Sequence, residues 1–329
     1  MTPFSAGEGS AIDVLIVGAG PAGLTAALYL ARYRRKVRVV HDGRSRALWV
    51  PRSRNVPGFP DGIAGRDLIT RMSDHATRYG AEIVERRVVA IARHEDRTMF
   101  HARLEGGGTV NARGLILATG VDTNLAKLDG GDHNAAVRNG VLRYCPICDG
   151  FEHSNERIAV LGSDLHGAAE AMFLRQYSSD VTLIPKWQVA LTEAQRRELA
   201  ASGVDVIEGR VLRLEATEDE MLVAIEGETA PRRFDTVYPA FGSTPRSELA
   251  AMLDPLTDPK GCIPFSAFSD GLLPGIYAAG DVIEGLDQIS VATGQGAMAA
   301  TRLHNWLREQ DGNVMVDQKQ SEKATRGET

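Results

Sequence analysis

The sequence predicts an α/β fold of two three-layer ββα domains, the second inserted into the first. Three observations carry it. The first is a run from Asp13 to Gly18, apolar between its ends, that opens into Gly18-Ala-Gly20-Pro21-Ala22-Gly23 and an Ala- and Leu-rich stretch from Pro21 to Arg34. The second is a repeat of that arrangement at Glu156–Leu161, followed by Gly162-Ser-Asp164-Leu-His166-Gly167 and a helical pattern from Ala168 to Tyr177. The third is that strand and helix patterns suited to the first domain return late, at Gly275–Val282 and Gly294–Leu307. The first domain is therefore expected over 1–117 and 245–310, the inserted one over 118–244, and a polar, disordered tail over 311–329.

Each element follows from its residues. Asp13–Gly18 has the continuous apolar character of a strand buried on both faces. Val37–Val40 is the next strand, so the glycine-rich turn sits at the strand-to-helix junction of a βαβ unit. At such a junction Gly18 makes the turn, Gly20 lets a pyrophosphate approach the backbone, and Gly23 lets helix and strand pack closely. With strand and helix on both sides, the motif is a specific sign of a Rossmann-like dinucleotide site. The acidic residue expected to hold a ribose at the end of the second strand is displaced: His41 stands there and Asp42 follows, and Asp42 is the preferred candidate. Asn55-Val-Pro57-Gly58-Phe59-Pro60 begins a turn-rich loop that leads into a helix from Arg66 to Tyr79. Leu104–Gly107 and Thr109–Leu117 bracket a hairpin. Its second strand closes on Ala118-Thr119-Gly120, small residues that let a backbone run beside a bound group.

Composition narrows the class. A length of 329 residues, with 34 glycines and 24% charged residues, fits a two-domain α/β protein with many tight turns. The net charge of −6 and the absence of a basic block exclude a nucleic-acid or anionic-membrane footprint. No apolar run reaches the ~20 residues that span a bilayer. Met1 to Ala11 lacks the charged-then-apolar pattern of a secretion signal, so the cytoplasm is the expected compartment. Four arginines between Arg44 and Arg54 alternate with apolar residues and read as a solvated loop.

Two of the three cysteines fall in Arg143-Tyr144-Cys145-Pro146-Ile147-Cys148-Asp149-Gly150. Thiols at this spacing close and open a disulfide, and Asp149 is placed to carry the proton that opening requires. A zinc half-site is disfavoured because no second Cys pair or spaced His pair accompanies it, so no metal is expected. A permanent staple is disfavoured by the compartment. Cys262 reads as an inert buried thiol.

Gly18–Gly23, the Asn55–Pro60 loop, Ala118-Thr119-Gly120, Cys145-x-x-Cys148-Asp149-Gly150 and Gly275-Ile-Tyr-Ala-Ala-Gly280-Asp281-Val282 come in one order. That order is similar to the low-molecular-weight thioredoxin reductases, the second class of FAD-dependent pyridine nucleotide-disulfide oxidoreductases, over about residues 12–308. The resemblance implies FAD in the first domain, an NAD(P)H-type second domain carrying the cysteines, a homodimer, and rotation between domains during turnover. It implies that Gly280 and Asp281 hold the ribityl and pyrophosphate of FAD, while Gln288 and Ile289 lie along the isoalloxazine. Asn55, Val88, Thr119 and Gly120 join Gly18, Gly20, Pro21, Ala22, Gly23 and Asp42 in the cofactor-binding set. Cys148 would lie nearest the flavin, Cys145 would exchange with an outside disulfide, and Asp149 would donate and accept the proton.

The second turn departs from the family. Asp164 stands where a glycine is expected, and its carboxylate would push charge and bulk into a pyrophosphate position. After the next strand, Val181–Ile184, the family carries His-Arg-Arg to grip the 2′-phosphate of NADPH; this chain has Pro185-Lys186-Trp187. Gly162, Asp164, Gly167, Lys186 and Trp187 thus mark a degenerate second nucleotide site. The preferred expectation is a divergent, nicotinamide-independent relative fed by ferredoxin or a second flavin, acting on a thioredoxin-like protein or a small-molecule disulfide. The alternatives are a conventional NADPH-dependent thioredoxin reductase, an oxygen-using dithiol oxidase, and a flavoprotein that reports redox state without turnover. Asp149 counts against the oxidase, since oxidases of the gliotoxin and holomycin type more often carry His there.

Overall fold

The computed structural model describes residues 11–94, 99–186, 190–253, 257–258, 260–264 and 273–313. β1 (Ile12–Val17) feeds α1 (Pro21–Arg32), which returns to β2 (Val37–His41), parallel to β1. After α2 (Gly65–Arg78) come β3 (Glu82–Glu85), parallel to β2, and an antiparallel meander of β4 (Val88–Arg93), β5 (Phe100–Leu104) and β6 (Thr109–Leu117). β6 runs parallel to β1, giving the order β3-β2-β1-β6-β5-β4. The chain leaves through β7 (Val121–Thr123) and lays down α3 (His133–Asn139), α4 (Pro146–Asp149), β8 (Arg157–Leu161), α5 (Leu165–Leu174), β9 (Asp180–Ile184), α6 (Glu193–Ala201) and β10 (Asp205–Val206). Next come β11 (Val211–Ala216), β12 (Met221–Ile225), β13 (Arg232–Phe234) and β14 (Thr236–Pro239). Here β10-β9-β8-β14 form a parallel sheet and β11-β12-β13 an antiparallel one. The return passage, β15 (Ser243–Pro245), pairs with β7. α7 (Glu248–Ala251), β16 (Ile276–Ala278, parallel to β6) and α8 (Ile289–Gln310) complete the first sheet and its cover.

The described residues divide into two units. One takes 11–49, 66–121 and those after 244; the other takes 50–65 and those of 122–244. The segment 50–65 thus sorts with the second unit, although it lies inside the expected first domain.

The first unit's core explains its strand sequence. Val14, Leu15 and Ile16 of β1 and Leu115 and Ile116 of β6 are fully buried, which requires apolar residues in succession rather than alternation. Each of the larger ones contributes about 1.5–3 kcal/mol by leaving water. α1 and α8 meet through small residues: a Cβ on Gly296 would lie 2.2 Å from Ala22 O, so the two backbones touch.

Two helices begin earlier than the sequence predicts. α5 starts at Leu165 rather than Ala168, because the Asp164 side chain caps it. α8 starts at Ile289 rather than Gly294; the chain is extended at Gln288, and Gly294 lies inside the helix with nothing near its face. No helix among the described residues is long and apolar enough to cross a membrane. Trp187 and residues 314–329 of the expected tail lie outside the described residues.

Candidate active site

Cys145 is the N-cap of α4, with Pro146 at its first position, and Cys145 and Cys148 are joined in a disulfide. Cys148 N donates to Cys145 O at 3.0 Å, so the short helical turn spaces the two sulfurs. Gly150 is required just beyond it: a Cβ there would lie 2.7 Å from both Pro146 O and the Tyr177 ring.

Asp149 points into the second unit, with 19% of its side chain exposed. Tyr238 OH donates to its Oδ1 at 2.9 Å, and Arg143 Nε faces its Oδ2 at 3.2 Å. Burial raises the carboxyl above the usual Asp range, and Arg143 and the Tyr238 hydroxyl offset only part of that. Tyr238 is itself fully buried on β14, and burial followed by the Asp149 charge pushes its hydroxyl up strongly. Behind Arg143 stands His153, whose Nε2 is 3.3 Å from Arg143 Nε and whose Nδ1 is 2.7 Å from Glu156 Oε2. The sequence singles out both cysteines and Asp149 as candidates but gives no role to Arg143, His153, Glu156 or Tyr238. The available signal was a phenol in the otherwise apolar run Val237-Tyr238-Pro239, since a buried Tyr needs a partner for its hydroxyl.

In the first unit the glycine-rich turn separates two jobs. Gly18 adopts φ +110°, and a Cβ there would lie 2.1 Å from Ala118 O; a Cβ on Gly23 would lie 1.9 Å from Gly18 O. These two let strand and helix touch. Gly20 differs, because a Cβ there would meet nothing nearer than Ser45 Oγ at 3.4 Å. Gly20 is also the N-cap of α1, with no side-chain cap and Pro21 at the first position. An uncapped helix end beside open space is suited to an anionic group such as a dinucleotide pyrophosphate. Gly23→Ala is expected to lower stability by about 3 kcal/mol or more, since backbone must move to admit the methyl. The protein should be recovered with little flavin, as read by thermal melting and the ratio of flavin to protein absorbance.

Other residues of this set fall as follows. Thr119 Oγ1 donates to Arg246 O at 2.6 Å, and Gly120 has φ +69° with open space on its Cβ side. Gly280 N donates to Oε1 of the buried Gln295 at 2.7 Å, a support the sequence did not single out. Asp281 meets Arg46 at 2.8 Å; burial pushes its carboxyl up to about 6, with Arg46 pulling the other way. Arg46 also reaches Asp287 at 3.2 Å, so one cation of the Arg44–Arg54 stretch faces both carboxylates. Asp42 feels burial, which raises it, but bonds from Arg44 at 2.7 and 2.9 Å, with the Arg44 and Arg246 charges, hold it below the usual range. The neighbouring His41 accepts from Gly43 N through Nδ1 at 3.1 Å. Gln288 is the N-cap of α8 and Ile289 its first residue, and Val88 is buried at the start of β4. Asn55 sorts with the second unit, where its Nδ2 donates to Ile147 O at 3.4 Å.

The second turn keeps the packing job and changes the other. Cβ atoms on Gly162 and Gly167 would lie 2.7 and 2.8 Å from each other's Cα, so close strand–helix contact persists. Asp164, at the place of Gly20, turns its Oδ1 onto the N–H groups of His166 (3.1 Å) and Gly167 (3.2 Å). The helix end carries its own anion. Lys186 lies 4.0 Å over the Phe241 ring.

The chain is similar to known proteins over most of its length. The model of the family described as Pyridine nucleotide-disulphide oxidoreductase matches residues 12–296. The thioredoxin reductase of Listeria innocua is 30% identical over 92% of this chain and 96% of its own length. That of Streptomyces coelicolor is 32% identical over 90% and 94%. The crystal structure of HlmI superposes with a TM-score of 0.83, at 31% identity, over 97% of this chain and 98% of that one. The chain belongs to the pyridine nucleotide-disulphide oxidoreductase family and is a flavin-dependent disulfide oxidoreductase of the thioredoxin reductase-like class.

Proposed function

We propose that the chain reduces a disulfide of a thioredoxin-like protein or a small molecule through Cys145 and Cys148, without taking electrons from NADPH at its second turn. FAD, when bound, supplies the two electrons that open the Cys145–Cys148 disulfide. Gly18, Gly20, Gly23 and the first turn of α1 would hold its pyrophosphate. Gly280, Asp281, Gln288 and Ile289 would line the remainder. The Cys145 thiolate attacks the outside disulfide, releasing one substrate thiolate and forming a mixed disulfide; Cys148 then attacks the Cys145 sulfur and releases the second. Asp149 holds the proton that travels between sulfur and carboxyl. Its titration, raised by burial, suits a group that exchanges a proton with sulfur. The family resemblance supports a cytoplasmic homodimer as the working form.

The loss of the nicotinamide role rests on one observation, the Asp164 carboxylate bonded to the two N–H groups that a pyrophosphate would use. A bound dinucleotide would have to displace that carboxylate or sit against its charge. Ferredoxin or a second flavin then becomes the electron source. The full-length similarity to proteins named thioredoxin reductase favours the conventional NADPH-dependent enzyme as the second reading. Anaerobic titration of the yellow protein with NADPH and then NADH separates the two. The proposal expects no prompt bleaching of the flavin band while dithionite still reduces flavin and disulfide. Stoichiometric bleaching by either nucleotide would overturn it.

A further inference from the structure

Asp149 does not stand alone at the disulfide. Its two oxygens receive donors from two directions: the Tyr238 hydroxyl on β14 and the Arg143 guanidinium on the segment before α4. Both donors favour the ionised carboxylate, and burial favours the neutral acid. Their balance decides whether Asp149 holds a proton when the neighbouring sulfur needs one. The other titratable groups that bear on it are Glu152 and His153, on the turn that follows α4.

Arg143 is pinned rather than loosely placed. Its Nε–H donates to His153 Nε2 at 3.3 Å, the same nitrogen stands 3.2 Å from Asp149 Oδ2 as an ion pair, and its Nη1 donates to Val137 O at 2.9 Å. Nε2 of His153 accepts that bond, so the ring proton belongs on Nδ1, which faces the Glu156 carboxylate at 2.7 Å. Glu156 therefore fixes the His153 tautomer, His153 fixes the Arg143 plane, and Arg143 fixes one oxygen of Asp149. His153 is buried, accepts from Arg143 and stands edge-on to the Tyr238 ring at 6.1 Å, so it braces both groups that meet Asp149.

We propose that Tyr238, Arg143 and His153, with Glu156 behind them, are positioning residues that set the proton transfer at Asp149. The assignment rests on the disulfide-reducing role given above. Two electrons open the Cys145–Cys148 bond and leave two sulfur anions. Asp149 gives its proton to one, which becomes a thiol, and the resulting carboxylate is held by the Tyr238 and Arg143 donors. The other sulfur attacks the outside disulfide and displaces one substrate thiolate. Asp149 then takes its proton back from the enzyme thiol, which attacks the mixed disulfide, closes the enzyme disulfide and frees the second substrate thiolate. The two substrate thiolates take their protons from water, so electrons and protons balance.

The test uses the flavin-loaded protein, reduced anaerobically with dithionite, freed of excess reductant and mixed with dithiobis-nitrobenzoate, whose released thiolate is coloured. The rate is followed from about pH 4 to about pH 9, starting near the ordinary carboxylate range so that a midpoint above it is read. Tyr238→Phe removes only a hydroxyl. It should move the pH midpoint up by about one unit and slow the exchange about tenfold, because the carboxylate loses a donor. His153→Leu should shift the midpoint in the same direction by less. His153→Gln, whose Oε1 can still accept from Arg143, should restore the rate to within about twofold of the parent. A merely structural role would lower melting temperatures and leave the midpoint in place. An unmoved midpoint in folded, flavin-bound Tyr238→Phe would overturn the assignment. If Tyr238→Phe fails to fold, equal behaviour of His153→Leu and His153→Gln overturns it instead. Coloured thiolate no greater than the single equivalent from Cys262 in the parent protein would overturn the disulfide-reducing role itself, and this assignment with it.

Discussion

Cys148→Ser is expected to give a folded, yellow protein that sustains no disulfide turnover, a loss of at least about a thousandfold. The two sulfurs act as one unit: without Cys148 the mixed disulfide on Cys145 has no intramolecular thiol to resolve it, and no internal disulfide can store the electron pair. The fold should tolerate the change, because the bond from Cys148 N to Cys145 O belongs to the backbone and the side chain is only half buried. Steady-state reduction of a disulfide probe beside the flavin absorbance reads both halves of the expectation. A variant keeping a tenth of the parent rate would mean that electrons reach substrate without passing through this pair.

The second large effect is a gain. If the second turn has lost its nicotinamide role as proposed, Asp164→Gly should let NADPH bleach a flavin that it leaves oxidised in the parent. The stability cost should be small, since replacing an N-cap Asp by Gly costs only about a few tenths of a kcal/mol. The gain has two sources. The substitution frees the N–H groups of His166 and Gly167, and it removes a negative charge from beside the pyrophosphate position. Like charges about 4 Å apart repel by about 1–4 kcal/mol between bulk water and a protein surface, equivalent to roughly five- to several-hundredfold in affinity. Lys186 would remain a point charge, so discrimination for the 2′-phosphate should stay weak. Anaerobic titration of parent and variant side by side decides it. An Asp164→Gly protein as unresponsive as the parent would shift the cause from the helix end to the Lys186–Trp187 stretch.

What the sequence made legible was what neighbouring residues fix. The turn from Gly18 to Gly23 could be read because β1 and α1 flank it, and the Cys145–Cys148 pair because its spacing is local. Asp164 was read only as a charge in a ligand's way. That reading held the motif to its glycine pattern and passed over the preference of Asp for helix N-caps, the preference that starts α5 at Leu165. Gly294 misled in the opposite sense: glycine marked a boundary in the sequence, whereas the packing of α8 on α1 carries the helix through it. The surroundings of Asp149 were hidden for a different reason. Tyr238 lies 89 residues further on, and no periodicity links a strand to a side chain at that distance. Which unit the 50–65 segment joins likewise depends on long-range contacts such as that from Asn55 to Ile147.

The contrast between the two helix ends bears on how the protein depends on its vitamin-derived cofactor. α5 is complete as soon as it folds, because Asp164 satisfies its first turn from within the chain. α1 has no such internal partner, and a ligand that binds only the folded form adds stability by mass action, about 4 kcal/mol at a thousandfold excess over its dissociation constant. Where FAD binds at α1 as proposed, the durability of the first unit is tied to flavin supply.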